Sequence, residues 1–286
     1  MVVAGALSGR IGLVAGASRG VGRGVARALG EAGATVIVTA RSSEASRRTD
    51  TRPETIEDTS RLVDEAGGRG VHYVCDHTSE RDVDQLASWA LRRFGRIDVL
   101  VSSVWGGNER YDGDRYPDGS SWGTPFWRRP AALLGDMLET GLYAQLLTAR
   151  AMAPAMVAAK RGLIVLITAD DDGAFIGDIY YDLAKNATAR LADGMAQDLK
   201  PFSVTALALA PGHVRTERVA DAGLTDDASE SPLYVGRAVA ALAADEAIAN
   251  DAGRVLHAAD LARRYGFTDL DGAQPARFRL PSASGR

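Results

Sequence analysis

The sequence predicts an α/β fold: one doubly wound parallel sheet of about seven strands with helices on both faces, spanning residues 1–286 as a single domain. Two observations carry that prediction. Short apolar, β-branched runs alternate with longer helix-like segments over most of the chain, and parallel neighbours need crossover connections that helices fill. The chain has 286 residues and is 46% hydrophobic, enough apolar material for one large α/β domain.

Taken in order, the first strand is the apolar run Ile11 to Ala15, which breaks into the turn GASRGVG before a helical stretch from Gly22 to Glu31. The β-branched run Thr35 to Thr39 precedes a helix over Thr55 to Ala66, and Val71 to Cys75 precedes one over Asp82 to Phe94. The strand Asp98 to Val101 leads into WGGNERYDGDRYPDGSSWGTPFWRRP, residues 105–130. That segment is rich in Gly, Pro and aromatics and has no periodicity, so it reads as a long loop beside a strand end, either a substrate lid or a surface excursion without a role. A helix over Leu138 to Ala159, apolar over much of its surface and expected to bend at Pro154, comes next. Strand Leu163 to Thr168, helix Asp182 to Asp198, strand Val204 to Leu209, helix Val235 to Ala244 and strand Arg254 to Leu256 complete the alternation. The C-terminal tail, residues 258–286, is expected to end in a few mobile residues.

Charge and composition exclude several function classes. A net charge of −4 gives no basic excess for a nucleic acid backbone, so no nucleic acid partner is expected. No stretch approaches the roughly 18 uninterrupted apolar residues of a membrane span. The N-terminus shows no basic leader with a cleavage site, and the expectation is a cytoplasmic protein. The single cysteine, Cys75, cannot form an internal disulfide, and no His and Cys cluster has metal-ligand spacing.

Two stretches point to chemistry. Strand, glycine turn and helix, with Gly16, Gly20 and Gly22 in the turn, bring backbone N–H groups and a helix N-terminus to a pyrophosphate. The spacing differs from the general dinucleotide fingerprint. Sheets that prefer NAD(H) commonly end strand two on a carboxylate for the adenosine ribose, whereas VIVTARS ends on Ala40 and Arg41. Arg41, with Arg19 from the turn, is placed to hold a 2′-phosphate, so NADP(H) is the expected cofactor, with NAD(H) as the alternative should both arginines be ordinary solvated side chains. The second stretch is YDLAK. Tyr181 and Lys185 stand at i and i+4 and share a helix face, and lysine occurs only at positions 160, 185 and 200. A phenol with a pKa near 10 moves protons poorly at neutral pH unless a positive charge favours its phenolate. Lys185 and an oxidised nicotinamide are the expected sources of that charge.

GASRGVG, CDHTSERDV, YDLAK and PGHVRTE, in this order, resemble the short-chain dehydrogenase/reductase family, whose Rossmann-type fold would cover residues 8–257. ESPLYVGRAVAALAADE and DLARRYGFTDLDG are similar to the branch typified by mammalian dehydrogenase/reductase member 1 and its bacterial relatives. The resemblance implies an oxidoreductase interconverting a carbonyl and an alcohol, with Tyr181 as general acid or base and Lys185 holding the nicotinamide ribose. Tyr180 is the rival phenol, but Ala184 stands at its i+4 position. The family's serine after strand five is replaced: Thr168 is one candidate for its role, while alignment on the strand end puts Ala169 there. Gly141 stands near the family's helix-four asparagine. The three aspartates from Asp170 to Asp172 read as a solvated turn, or as a route for Asp170 into the site.

The same resemblance assigns Asp76 to the adenine edge, Ser102 and Ser103 to the adenosine side, and Pro211 and Gly212 to the nicotinamide border. Thr216 would reach the amide or the diphosphate, and Ser18, Val21, His77 and Val214 complete the expected cofactor contacts. Trp105, Trp122, Phe126 and Trp127 around the long loop suit an apolar carbonyl substrate. The helices over Leu138 to Ala159 and Asp182 to Asp198 are those that family members use to form homodimers or homotetramers. A second reading is a dinucleotide-binding sensor or scaffold, because the serine and asparagine positions are altered.

Overall fold

A computed structural model describes residues 4–45, 52–107, 111, 115–226 and 228–279. Seven parallel strands form one sheet in the order β3-β2-β1-β4-β5-β6-β7. They are β1 (Ile11–Ala15), β2 (Thr35–Ala40), β3 (Arg69–Val74), β4 (Val99–Ser102), β5 (Gly162–Ile167), β6 (Val204–Ala210) and β7 (Val255–His257). Each bound lies within two residues of the sequence expectation. β1 pairs with both β2 and β4, in register Leu13↔Ile37 and Leu13↔Leu100. The strand order therefore reverses at β1, and a crevice opens at the carboxyl ends of β1 and β4.

Both sheet faces are covered, which is why the central strands are apolar at consecutive positions rather than alternate ones. Val14, Val36, Val38, Val101 and Leu207 point into one core. It is shared with α1 (Gly20–Glu31), α8 (Pro232–Ala244) and α9 (Ala258–Tyr265). Leu13, Ile37, Leu100, Ile164 and Ala206 point into the other, against α3 (Glu80–Phe94), α5 (Ala144–Ala159) and α6 (Ile179–Leu199). At about 25 cal/mol per Å² of apolar surface, each fully buried Leu, Ile or Val contributes roughly 1.5–3 kcal/mol. Helix α1 is fixed against α8 by close backbone contact: a Cβ on Gly24 would stand 2.1 Å from the Pro232 carbonyl oxygen, and one on Gly236 would stand 2.3 Å from that of Gly24. α2 (Ile56–Glu65) starts on a capping box in which Thr55 and Asp58 bond each other's backbone amides.

Four features depart from the sequence expectation. The helix expected from Leu138 begins seven residues earlier, as α4 (Ala131–Leu138), and runs through a π-turn (Glu139–Tyr143) into α5. A 3-10 turn (Phe126–Arg128) also lies inside the expected loop. Residues 108–110 and 112–114 of that loop lie outside the described residues. The tail contains the amphipathic helix α9 and then packs down, with Phe267 and Asp269 buried. Its terminal residues 280–286 lie outside the described residues. The short α7 (Glu217–Asp221), which follows PGHVRT, has too few residues for a 3.6-residue period to show.

Candidate active site

The crevice is a cleft of about 720 Å³. One end is built by the glycine turn. Gly16 and Gly20 have φ of +76° and +56°. A Cβ on Gly16 would stand 2.8 Å from the Ser103 backbone, and one on Gly22 would stand 2.3 Å from the Gly16 carbonyl oxygen. Only a turn without side chains closes this way, and it leaves the first amides of α1 facing the cleft. The residues present therefore fit a dinucleotide diphosphate. Gly22 itself packs beneath the turn and does not line the cleft, whereas Ser18, Arg19, Gly20 and Val21 do.

Beside the turn, Ala40 ends β2 and Arg41 and Ser42 follow it along the cleft, with no carboxylate at the strand end. Arg19 donates from Nη2 to Ser42 Oγ at 3.1 Å and faces Glu54 at 3.8 Å. Arg52 bonds Asp221 of α7 at 2.6 Å. Arg52 and Glu54 escaped sequence reasoning because they lie beyond a segment with no periodic pattern. Burial disfavours the charge on Asp76, but the Thr78 amide and hydroxyl (3.0 and 2.7 Å) and the nearby Arg41 hold its carboxyl below the usual range. The His77 ring is committed elsewhere. Its two nitrogens lie 2.9 Å from Thr39 Oγ1 and 2.9 Å from Thr148 Oγ1, tying β2 to α5, and burial pushes its pKa down to about 4. Ser103 lines the cleft; Ser102 is fully buried, its hydroxyl without a partner, and does not.

The other end is carried by α6. Asp178 caps this helix, accepting from the amides of Tyr180 and Tyr181 at 3.0 and 3.1 Å. One turn on, Tyr181 and Lys185 face the cleft together. The Tyr181 ring is wedged between Trp105 (centroids 5.2 Å apart, interplanar 80°) and Trp122 (5.0 Å, 58°). Lys185 Nζ stands 3.7 Å from the Trp105 ring centroid and 5.3 Å from that of Tyr181. Burial sets both protonation equilibria: it pushes the Tyr181 phenol above its ordinary value, with a smaller contribution from Tyr116, and pushes Lys185 down to about 7. Without a nicotinamide beside it, desolvation dominates the phenol, and Lys185 lies closer to the Trp105 ring than to that of Tyr181. Tyr180 points away, its hydroxyl donating to the Arg129 carbonyl at 3.3 Å.

Thr168 lines the cleft, and its hydroxyl donates to the backbone carbonyl of Lys185 at 2.6 Å. It thus braces α6 against β5, and Ala169 beside it brings no hydroxyl. The helix-four asparagine has no room: a Cβ on Gly141 would stand 2.5 Å from the Trp105 ring, which packs on the backbone of the π-turn. Asp170 to Asp172 do not line the cleft; they form a turn in which Asp172 is exposed, Asp170 is partly buried and Asp171 is buried. Asp170 lies 3.2 Å from His257 and 3.7 Å from Arg277; Asp172 pairs with Arg277 and with Arg279 at 2.6 Å. The tail arginines hold this loop, so the Asp170, Asp172 and His257 group, compact enough for a cation, already has a guanidinium against it.

Pro211, Gly212, Val214 and Thr216 line the cleft as expected. Gly212 donates its amide to Glu230 Oε1 at 3.0 Å. Thr216 caps α7 through the Val219 amide at 3.3 Å, and Glu217 accepts from the Gly20 amide at 2.8 Å.

Residues 10–227 match the short chain dehydrogenase family. The chain belongs to that family. This short-chain dehydrogenase is 34% identical over 282 residues to dehydrogenase/reductase SDR family member 1 of Mus musculus, covering 93% of this chain and 85% of the relative. Among solved structures it resembles a metagenomic short-chain oxidoreductase in complex with NADP, with 27% identity, a TM-score of 0.66, and 88% and 97% of the two chains covered. It also resembles a hydroxysteroid dehydrogenase from Escherichia coli, with 25% identity, a TM-score of 0.70, and 88% and 95% covered. No described helix of this short-chain dehydrogenase is long and apolar enough to cross a membrane.

Proposed function

We propose that the chain is an NADP(H)-dependent oxidoreductase that interconverts an apolar ketone or aldehyde and the corresponding alcohol. The observation that carries this reading is a single cleft with the bare glycine turn, Arg19 and Arg41 at one end and Tyr181 with Lys185 at the other. A bound nicotinamide dinucleotide supplies the hydride. Arg19 and Arg41 hold the 2′-phosphate, and the first amides of α1 hold the diphosphate. Lys185 binds the nicotinamide ribose, with Thr168 fixing its backbone. Tyr181, kept protonated by burial, donates its phenolic proton to the substrate oxygen, and Trp105 and Trp122 exclude water from that proton. Trp105, Tyr111, Trp122, Val219 and Leu224 give the substrate end apolar walls.

The test is NADPH oxidation against a panel of ketones and aldehydes. Tyr181→Phe is expected to lower kcat by at least a hundredfold while NADPH still binds. Arg41→Asp is expected to swing the NADPH-to-NADH ratio of catalytic efficiency toward NADH; an unmoved ratio sinks the 2′-phosphate assignment. The second reading, a dinucleotide-binding sensor, is favoured by the Thr168 hydroxyl being spent on a backbone carbonyl and by Ala169 at the strand end. Equal NADPH binding with no turnover by wild type or Tyr181→Phe selects it. Tyr143, Leu146, Ile179 and Leu183 stand exposed on the π-turn, α5 and α6, which supports a homodimer or homotetramer through those faces, measurable by light scattering. Cys75, buried and with its thiol pushed up to about 12, suits a reducing cytoplasm.

A further inference from the structure

The side chains of Arg129 and Asp178 form an ion pair with no exposure on either side. Arg129 lies between the 3-10 turn and α4, 49 positions from its partner, and its guanidinium rests 5.0 Å from the Tyr116 ring centroid and 4.9 Å from that of Tyr180. Asp178 divides its carboxylate between two tasks. Oδ2 takes Arg129, and Oδ1 caps the amides of Tyr180 and Tyr181.

We propose that Arg129 is a positioning residue for the reaction, locking the aromatic loop onto the first turn of α6 so that the Tyr181 phenol stands where a carbonyl oxygen must receive its proton. The proposal rests on the oxidoreductase reading above.

Three observations separate this from ordinary packing. A helix cap needs only an acceptor, which asparagine provides as well as aspartate, so capping does not explain a buried arginine. A guanidinium buried on one carboxylate and the Tyr116 side chain is an arrangement poorly suited to stability alone, since an apolar pair of similar volume commonly does as well or better. The contacts also converge on one residue from two directions. The loop reaches the Tyr181 backbone through Arg129 and Asp178, and reaches its ring through Trp122. Tyr180 closes the circuit by donating its hydroxyl to the Arg129 carbonyl. A shift of the loop therefore moves Tyr181, and a shift of about 1 Å at a reacting group can cost a hundredfold in rate.

The experiment compares Arg129→Met, Asp178→Asn, the double variant and Arg129→Lys for thermal midpoint, NADPH affinity, carbonyl KM and kcat. The double variant leaves no unpaired buried charge and keeps the cap through the asparagine oxygen, so it is expected to fold even where a single variant does not. If Arg129 positions Tyr181, the double variant melts within a few degrees of wild type and binds NADPH within twofold. Its kcat is nonetheless at least tenfold lower, and Arg129→Lys recovers part of the loss. A double variant with wild-type stability and a kcat within twofold of wild type overturns the proposal while leaving the oxidoreductase reading intact. Should wild type itself turn over no carbonyl, that reading fails separately. The positioning geometry is then judged by the near-ultraviolet circular dichroism of the Tyr181 and Trp122 pair, read as the difference from Tyr181→Phe. A changed difference signal in the double variant sustains it, and an unchanged one refutes it.

Discussion

Glu217→Gln is expected to tighten NADPH binding, although Glu217 lines the proposed cofactor cleft. Glu217 Oε2 accepts the Gly20 amide at 2.8 Å, at the N-terminus of α1, and a diphosphate seeks the same amides. The two anions compete for one positive pole. A hydrogen bond to a charged group is worth a net ~1.5–3 kcal/mol and a charge at a helix N-terminus adds ~0.3–1 kcal/mol, before solvent screening is counted. Partial exposure of Glu217 reduces the sum to about 2 kcal/mol, of which a neutral glutamine retains roughly half through its amide oxygen. About 1 kcal/mol then no longer has to be surrendered when NADPH binds, and like-charge repulsion with the diphosphate disappears as well, so the dissociation constant should fall about five- to tenfold. Titration of NADPH fluorescence at fixed ionic strength measures it, with Asp221→Asn as a companion that removes the Arg52 to Asp221 ion pair without touching the Gly20 amide. An unchanged or weaker affinity for Glu217→Gln would refute the competition.

Glu230 gives a pH prediction. Burial raises its carboxyl from the ordinary 4.5 to about 7 against the opposing Gly212 hydrogen bond, so between those values the folded chain binds more protons than the unfolded one. Stability contributed by this group is therefore present below about pH 4.5 and lost as pH rises to about 7, by roughly 2–3 kcal/mol. Glu230→Gln should gain that amount over wild type at pH 8 and little at pH 5 in urea melts; equal gains at both pH values would exclude Glu230 as the source. Gly141→Ala places a methyl 2.5 Å from Trp105 ring carbons, and should cost about 1–3 kcal/mol of stability together with a loss of kcat as the indole leaves Tyr181 and Lys185. A wild-type melting midpoint would show that Trp105 has another place to go.

What the sequence made legible was local. The parallel sheet was legible because buried strands are continuously apolar. The Tyr181 and Lys185 pairing was legible because a helix brings i and i+4 to one face, and the phosphate turn because only glycine tolerates its geometry. Asp178 was not singled out, because the helix was read from Asp182 rather than Ile179, and nothing near it announces Arg129. The contacts Glu217 to Gly20, Glu230 to Gly212 and Arg277 to Asp172 span 197, 18 and 105 positions, and the shortest of them crosses two turns and a helix. Such pairs arise from the fold, not from any period in the chain. Thr168 illustrates a finer limit. Its place at the end of β5 was readable, but the direction of its hydroxyl depends on where the Lys185 carbonyl comes to lie.

The protonation of Tyr181 bears on the direction of the reaction. Lys185 stands closer to the face of Trp105 than to the phenol ring, where a cation is attracted by the ring electrons, and that attraction offsets part of the desolvation lowering its pKa. The phenol, meanwhile, has two aromatic neighbours and no hydrogen-bonded cation, so neutral Tyr181 is the favoured form around pH 7. A neutral phenol is ready to donate a proton to a carbonyl oxygen and unready to take one from an alcohol. Oxidation needs the phenolate, and that form is favoured by the positive ring of an oxidised nicotinamide, which pH does not change, and by a Lys185 ammonium, which a rise in pH above about 7 removes. On the oxidoreductase reading proposed above, a neutral Tyr181 favours carbonyl reduction over alcohol oxidation at neutral pH, and desolvation beside Trp105 and Trp122 contributes to that balance along with the lysine.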